Sequence, residues 1–346
     1  MRNLLTALTL SLIAVTAAAD YTAHAKTPLL LEKLRDNYGF SDPELNTVSA
    51  ALKDAQTLPK LIQSEVQNKE VTLLPNWDAY APIHVNARNI ANGLQYLNDN
   101  RQWFARAEAE YGVPPTVVAA ILGVETKYGT YTGKYRVLDA LTTQGFDHPT
   151  RSPFFFSELT QFFVFCRDSG RNAADFLGSY AGAMGNAQFM PSNYRALAVD
   201  YDGDGEKNLW SAPDAIGSIA NYLVHYDAKR SFRRGEPLIV PAQLSRTTVD
   251  IPSNGRVATQ TVGVLRAAGV ESAAMLPATT PAGLIELRRG AAMEYWLGLN
   301  NFYAIQTYNP RVFYAMAVAQ LANALADAQA TAAAADASAP TARHAQ

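Results

Sequence analysis

The chain has 346 residues, 48% hydrophobic and 17% charged, with 29 basic against 31 acidic side chains and a formal charge of −2. Length and apolar content suit a folded enzyme of two or three subdomains and exclude general disorder. The near-even charge, with no long basic run, excludes nucleic acid as a partner.

The chain opens on an export signal, assigned to residues 1–25 and expected to be cleaved. Met1-Arg2-Asn3 gives a positive start, Leu4 to Val15 an apolar stretch, and Ala17-Ala18-Ala19 a small-residue cleavage site, with Ala23-His24-Ala25 as a second. The apolar run is shorter than the ~20 residues of a membrane span. No cysteine follows it to carry a lipid, so a soluble periplasmic protein is expected. Cys166 is the only cysteine, which excludes an intramolecular disulfide, and its apolar neighbours predict a buried, inert thiol.

Residues 26–110 read as an N-terminal helical region that includes part of the core. Ser41-Asp42-Pro43-Glu44 has the spacing of a capping box, and Leu45, Val48 and Leu52 follow at helical intervals. A further helical pattern covers Val85 to Tyr111. Residues 111–235 form the central segment, with helices over Pro114 to Tyr128 and Phe154 to Phe165. Composition shifts over 236–300, predicted to be a small α/β region. Its strands are expected at Leu238–Val240, Thr248–Ile251, Leu284–Leu287 and Met293–Trp296, with a short helix over Val262–Ala268. Residues 301–325 return to a helical pattern, and the Ala-rich stretch 326–346 is expected to be disordered. No internal repeat is found.

One carboxylate stands out. Pro115 can start a helix and Gly129 can end it, and Val118, Ile121, Leu122 and Glu125 fall at i, i+3, i+4 and i+7. Glu125 therefore sits on an apolar stripe where a surface helix would turn a carboxylate outward. Burial disfavours the charged form, and a Glu kept protonated near neutrality can give its proton to a leaving sugar oxygen. The competing structural reading is a buried ion pair with Arg151 or Lys127.

Asp200-Tyr201-Asp202-Gly203-Asp204-Gly205-Glu206 places acids at positions 1, 3 and 5 and Gly at 6, the opening of an EF-hand-like loop, although Ser211 occupies the usual Glu position 12. Three like charges this close call for a cation. The five histidines have no zinc spacing. Gly182 to Gly185 fits no nucleotide fingerprint and predicts a tight turn.

Several ordered segments carry a family likeness. Glu125-Thr126-Lys127-Tyr128-Gly129, Ser179-Tyr180-Ala181-Gly182-Ala183-Met184-Gly185-Asn186-Ala187-Gln188-Phe189-Met190-Pro191-Ser192, Asn208-Leu209-Trp210 and Asp214-Ala215-Ile216-Gly217-Ser218 come first. Asn221-Tyr222, Asn301-Phe302-Tyr303, Tyr308-Asn309-Pro310 and Tyr314-Ala315-Met316-Ala317-Val318 follow. Over about Leu30 to Leu321 the chain resembles the lytic murein transglycosylase B family. The resemblance implies a mainly α fold: a goose-lysozyme-like helical core over 111–235, an additional α region and a small β region. It implies cleavage of the β-1,4 bond between N-acetylmuramic acid and N-acetylglucosamine in peptidoglycan strands, leaving a 1,6-anhydromuramoyl end.

By the same resemblance Glu125 is acid and then base, and no organic cofactor is needed. Ser179 and Asn309 stand beside Glu125, bonding to it or to the sugar. Gln188, Tyr222, Tyr308, Tyr314, Tyr80 and Arg151 line the groove. The family's longer metal loop, 200–214, would hold structural calcium or sodium through Asp200, Asp202 and Asp204, the Glu206 carbonyl, and Asp214 as the closing ligand. A monomer is expected, with cell-wall synthesis or lysis proteins as further partners. Two rivals remain open: a muramidase in which Asp139, Asp147 or Glu158 activates water, and a peptidoglycan-binding protein without turnover.

Overall fold

The computed structural model describes residues 20–62, 76–246 and 249–338. The stretch assigned to the export signal lies outside the described residues up to position 19. Thirteen α-helices occur among the described residues. In chain order they begin with α1 (Thr27–Tyr38), α2 (Asp42–Asp54), α3 (Trp77–His84), α4 (Ala87–Asp99), α5 (Arg101–Tyr111) and α6 (Pro115–Thr126). Then come α7 (Val137–Asp147), α8 (Ser152–Ser169), α9 (Pro191–Leu197) and α10 (Ala212–His225). The last are α11 (Val262–Ala267), α12 (Asn300–Tyr308) and α13 (Val312–Ser338). The mainly α class is as the sequence predicts. No described helix is long and apolar enough to cross a membrane.

By packing, the chain forms two compact units that do not follow chain order: Met1–Glu65 with Arg136–Phe176, and Val66–Tyr135 with Leu177–Gln346. In the first, α8 packs on α7 and α1, and α1 on α2. Glu44 accepts a hydrogen bond from the Ser41 backbone N–H at 2.7 Å, so the predicted capping box does start α2. The aromatic segment Phe154–Phe165 lies within α8, with Phe155, Phe162 and Phe163 buried and Cys166 buried beside them.

The second unit is built around α6. This helix packs against α13, α4, α10 and α5, and Val117 to Gly123 are all buried. Its residues are apolar on every side, which is why it occupies the centre. Gly93 of α4 and Gly123 of α6 leave room for Tyr128: a Cβ on either would lie 2.4 or 2.6 Å from the Tyr128 hydroxyl. Tyr128 in turn donates to the Asn89 carbonyl at 3.0 Å.

The same unit carries a five-stranded antiparallel sheet. Its strands are β1 (Ile239–Leu244), β2 (Gln260–Thr261), β3 (Val270–Glu271), β4 (Pro281–Arg289) and β5 (Ala292–Gly298), in the order β2-β4-β5-β1-β3. Val240, Ala242, Leu284 and Leu297 pack with Val262 and Leu265 of α11 into a separate apolar cluster.

Four expectations need correction. The helix over Val85–Tyr111 is two helices, because the Asn100 side chain bonds back to the Tyr96 carbonyl at 3.0 Å and breaks the run. Thr248 lies outside the described residues and Val249–Ile251 is not a strand; Pro252 lacks the N–H a ladder needs, and Val270–Glu271 pairs with Gln243–Leu244 in its place. The pattern from Asn301 is also broken, at Asn309-Pro310. Finally, 326–346 is not disordered as far as Ser338, because α13 continues through it; alanine is the strongest helix former. Positions 339–346 lie outside the described residues.

Candidate active site

The C-terminal turn of α6 delivers Glu125. The helix ends in three consecutive left-handed residues, Lys127 (φ 50°), Tyr128 (φ 59°) and Gly129 (φ 81°). Two of them carry side chains, a conformation that needs surrounding support. Thr126 provides part of it. Its hydroxyl donates to the Asn186 carbonyl at 3.1 Å and accepts from the Gly129 N–H at 3.0 Å. Asn186 is itself held, its backbone N–H on the Leu209 carbonyl (2.7 Å) and its side-chain amide on the Trp210 carbonyl (3.0 Å).

Glu125 is partly buried as a residue, but its carboxyl is enclosed, and burial raises its pKa from 4.5 to about 7. Tyr314, at the start of α13, donates to Glu125 Oε1 at 2.7 Å, a smaller effect in the opposite direction. No ion pair to Glu125 forms among the described residues, and no second carboxylate acts on it. The expected alternative, a salt bridge to Arg151 or Lys127, is not formed: no cation acts on the Glu125 carboxyl, Lys127 is exposed, and the Arg151 guanidinium lies 4.8 Å from the Phe155 ring. The apolar-stripe argument reached the inward position, but α6 is buried all round, so the stripe was not what selected this residue.

Tyr308, Tyr222, Tyr80 and Gln188, also expected at the groove, lie in the same unit as Glu125. Tyr308 stacks parallel to Tyr314 at 6.5 Å between centroids and donates its hydroxyl to the Ala187 carbonyl. Tyr222 lies 4.7 Å from Tyr308 and donates to the Thr307 carbonyl at 2.8 Å. Tyr80, on α3, packs against Phe313 with the rings tilted by 50° and 5.6 Å between centroids, and its pKa is raised by burial, with the Glu125 charge adding to the shift. Gln188 holds a left-handed backbone (φ 51°) and its Nε2 donates to the carbonyls of Thr132 (3.0 Å) and Gly185 (2.9 Å). Gly182 and Gly185 have φ of 84° and 70°, the tight turn expected there.

Ser179 and Asn309 do not bond to Glu125. The Ser179 hydroxyl accepts from the Ala183 N–H at 3.0 Å, and Asn309 Oδ1 accepts from the Arg311 N–H at 3.3 Å. The Thr126–Asn186 latch was missed as a site feature, although both residues lie inside the segments that carried the family likeness. Phe313, packed against Tyr80, was also missed; nothing in its local sequence marks it.

In the acidic loop, oxygens of Asp200, Asp202 and Asp214 lie within 4.8 Å of one another. Asp214, 1% exposed, accepts from the N–H groups of Tyr201 and Asn208, both at 2.6 Å, and burial raises its pKa. Asp200 accepts from Gly203 (2.7 Å) and Gly205 (2.9 Å). Asp204 is outside this group, and its carboxylate accepts from the Glu206 N–H at 2.8 Å. The Glu206 side chain is exposed. No Lys or Arg among the described residues pairs with these acids. An all-oxygen set of this kind fits a hard cation such as calcium.

The helical core that encloses the Glu125 carboxyl beside a row of tyrosines has the lysozyme-like fold. The chain belongs to the transglycosylase SLT domain family, whose pattern matches residues 30–323. The membrane-bound lytic murein transglycosylase B of Escherichia coli (strain K12) is 35% identical over 311 residues, 89% of this chain and 84% of that protein. Catenated lytic transglycosylase SltB1 from Pseudomonas aeruginosa is similar in structure, with a TM-score of 0.82 and 36% identity over 90% of this chain and 100% of that one. Escherichia coli lytic transglycosylase Slt35 in complex with calcium has a TM-score of 0.80 and 34% identity, over 90% of this chain and 96% of that one.

Proposed function

We propose that the chain is a peptidoglycan lytic transglycosylase in which Glu125 is the sole catalytic acid and base. The observation that carries this reading is an enclosed carboxyl, pKa about 7, with neither a cation nor a second carboxylate acting on it. Such a group keeps its proton in about half of the molecules at neutrality, and it needs no protein nucleophile if the substrate supplies one.

Tyr314 occupies Oε1, which leaves Oε2 to carry the transferable proton. That proton passes to the glycosidic oxygen as the muramic acid C1–O bond breaks. The carboxylate then takes the proton of the sugar's C6 hydroxyl, whose oxygen bonds to C1 and closes the 1,6-anhydro ring. Glu125 is left protonated, as it began. Holding the C6 hydroxyl near C1 exploits the high effective molarity of oriented groups.

The remaining groups suit an N-acetylated sugar. Gln188 has spent its N–H donors on the carbonyls of Thr132 and Gly185, so its Oε1 is the atom offered to a sugar N–H or O–H. Ser179 and Asn309 each accept from the backbone, which leaves the Ser179 O–H and the Asn309 amide N–H groups as donors. Tyr80 and the rings of Tyr308 and Tyr314 wall the site, and Arg151 is assigned to the sugar by family resemblance.

A muramidase needs a carboxylate to activate water. Asp139 accepts from the Gln56 N–H at 3.0 Å, Asp147 accepts from the Tyr21 hydroxyl at 3.0 Å, and Glu158 is buried with partners of its own, all in the first unit. Mass spectrometry of muropeptides released from isolated cell walls decides between the two. Anhydro ends, lighter by one water, support the transglycosylase; reducing ends overturn it. Loss of all release in Glu125→Gln excludes a binding-only protein.

Calcium, or sodium in its place, would sit at Asp200, Asp202 and Asp214, with Asp204 and the Glu206 carbonyl as further oxygen donors, and would brace the loop without entering the reaction. Export to the periplasm follows from the N-terminal signal.

A further inference from the structure

The tyrosines beside Glu125 form a continuous ladder that does not stop at the residues expected to bind sugar. From Tyr314 it passes to Tyr308 (6.5 Å, 10° between planes), to Tyr222 (4.7 Å) and on to Tyr226 (4.5 Å, 14°). Exposure changes sharply along it. Tyr314 and Tyr222 are each 3% exposed, whereas Tyr226 is 46% exposed. Tyr222 is enclosed by Phe189, Tyr308 and Tyr226, and its hydroxyl is spent on the Thr307 carbonyl. It therefore has neither a free face nor a free hydroxyl for a ligand. Tyr226 lies at the C-terminal end of α10, its ring nearly parallel to Tyr222 and almost half of the residue exposed.

We propose that Tyr226 is an outer sugar-binding position: the flat face of an N-acetylhexosamine ring, remote from the bond cleaved, stacks on its open side. This deepens the reading of Glu125 as a glycan-cleaving acid and rests on it. Tyr222 is then a support that orients the Tyr226 ring. The position of Tyr226 at the solvent end of the ladder sets the strand length needed for full affinity.

The test uses the full chain with Glu125→Gln, so that ligand survives, and measures calorimetric affinity for β-1,4-linked N-acetylglucosamine oligomers. Tyr226→Ala should weaken hexamer binding about tenfold, a loss of the size measured for well-packed aromatic contacts, and leave the dimer unchanged. Tyr226→Phe should bind within about twofold of the parent, because the ring is kept, and Tyr226→Trp should bind the hexamer more tightly. In the active chain, Tyr226→Ala should raise KM on glycan strands with kcat held. Equal hexamer affinity in the Ala and parent chains, or equal losses for dimer and hexamer, overturns the proposal. Should Tyr226→Ala not fold, an unchanged hexamer affinity in Tyr226→Trp overturns it. Failure of the catalytic reading looks different: Glu125→Gln would keep releasing fragments from cell walls whatever Tyr226 does.

Discussion

At the scale of single residues, protonation of Glu125 links activity to stability. Its folded pKa of about 7 lies above the ordinary 4.5, so the folded state binds a proton that the unfolded state has released between these values. Its favourable contribution is complete below about pH 4.5 and is lost as pH rises through 7. The melting temperature of the native chain should therefore fall from pH 5 to 8 relative to Glu125→Gln; parallel curves would contradict an enclosed acid. Tyr314→Phe removes the one hydrogen bond that lowers this pKa. The alkaline limb of the kcat profile should then move to higher pH, with kcat reduced by the loss of orientation. What the sequence disclosed at this scale was uneven. Glu125 was legible as an acid on an apolar helix, but its freedom from ion pairing was not, because partners such as Arg151 are set by tertiary packing.

At the scale of elements, the end of α6 decides where the acid points. A methyl group at Gly123 would meet the Tyr128 ring at 2.6–2.7 Å. Gly123→Ala should cost about 1–3 kcal/mol, as overpacking does, and lower kcat with little change in KM, read by denaturant melts and cell-wall digests. The start of the chain offers a second test at this scale. Tyr21 is buried, packs edge-on against Phe146 at 5.4 Å and donates to Asp147. Cleavage after Ala25 would remove it, whereas cleavage after Ala19 keeps it. N-terminal sequencing of the processed chain should give Asp20 as its first residue. Helix starts were readable from caps, as at Ser41 and Pro115, because capping is local chemistry. The pairing of Val270–Glu271 with Gln243–Leu244 was not, since it depends on a contact distant in sequence; the breaks at Asn100 and Asn309 are local, and the helical periodicity on either side masked them.

At the scale of the whole molecule, the mainly α class and the family followed from long ordered motifs, but the grouping into units did not. The first unit is assembled from two separated stretches of chain, and no composition shift marks where the chain crosses. Metal dependence belongs to this scale. Calcium added to chelator-treated protein should raise the melting temperature, by an amount growing with the logarithm of its concentration. Asp214→Asn should abolish that rise, read by calorimetry; a rise that survives the substitution would remove the loop as the binding place. Sodium at matched ionic strength separates the two cations.

The latch at the end of α6 has a practical corollary. Asp214 holds the Asn208 N–H, Leu209 next to it receives Asn186, and Asn186 receives Thr126, the immediate neighbour of Glu125. In the proposed mechanism the acidic loop and the acid thus share a mechanical linkage only a few bonds long. An engineer who stiffens the acidic loop to make the protein more durable will be retuning its catalyst with the same stroke.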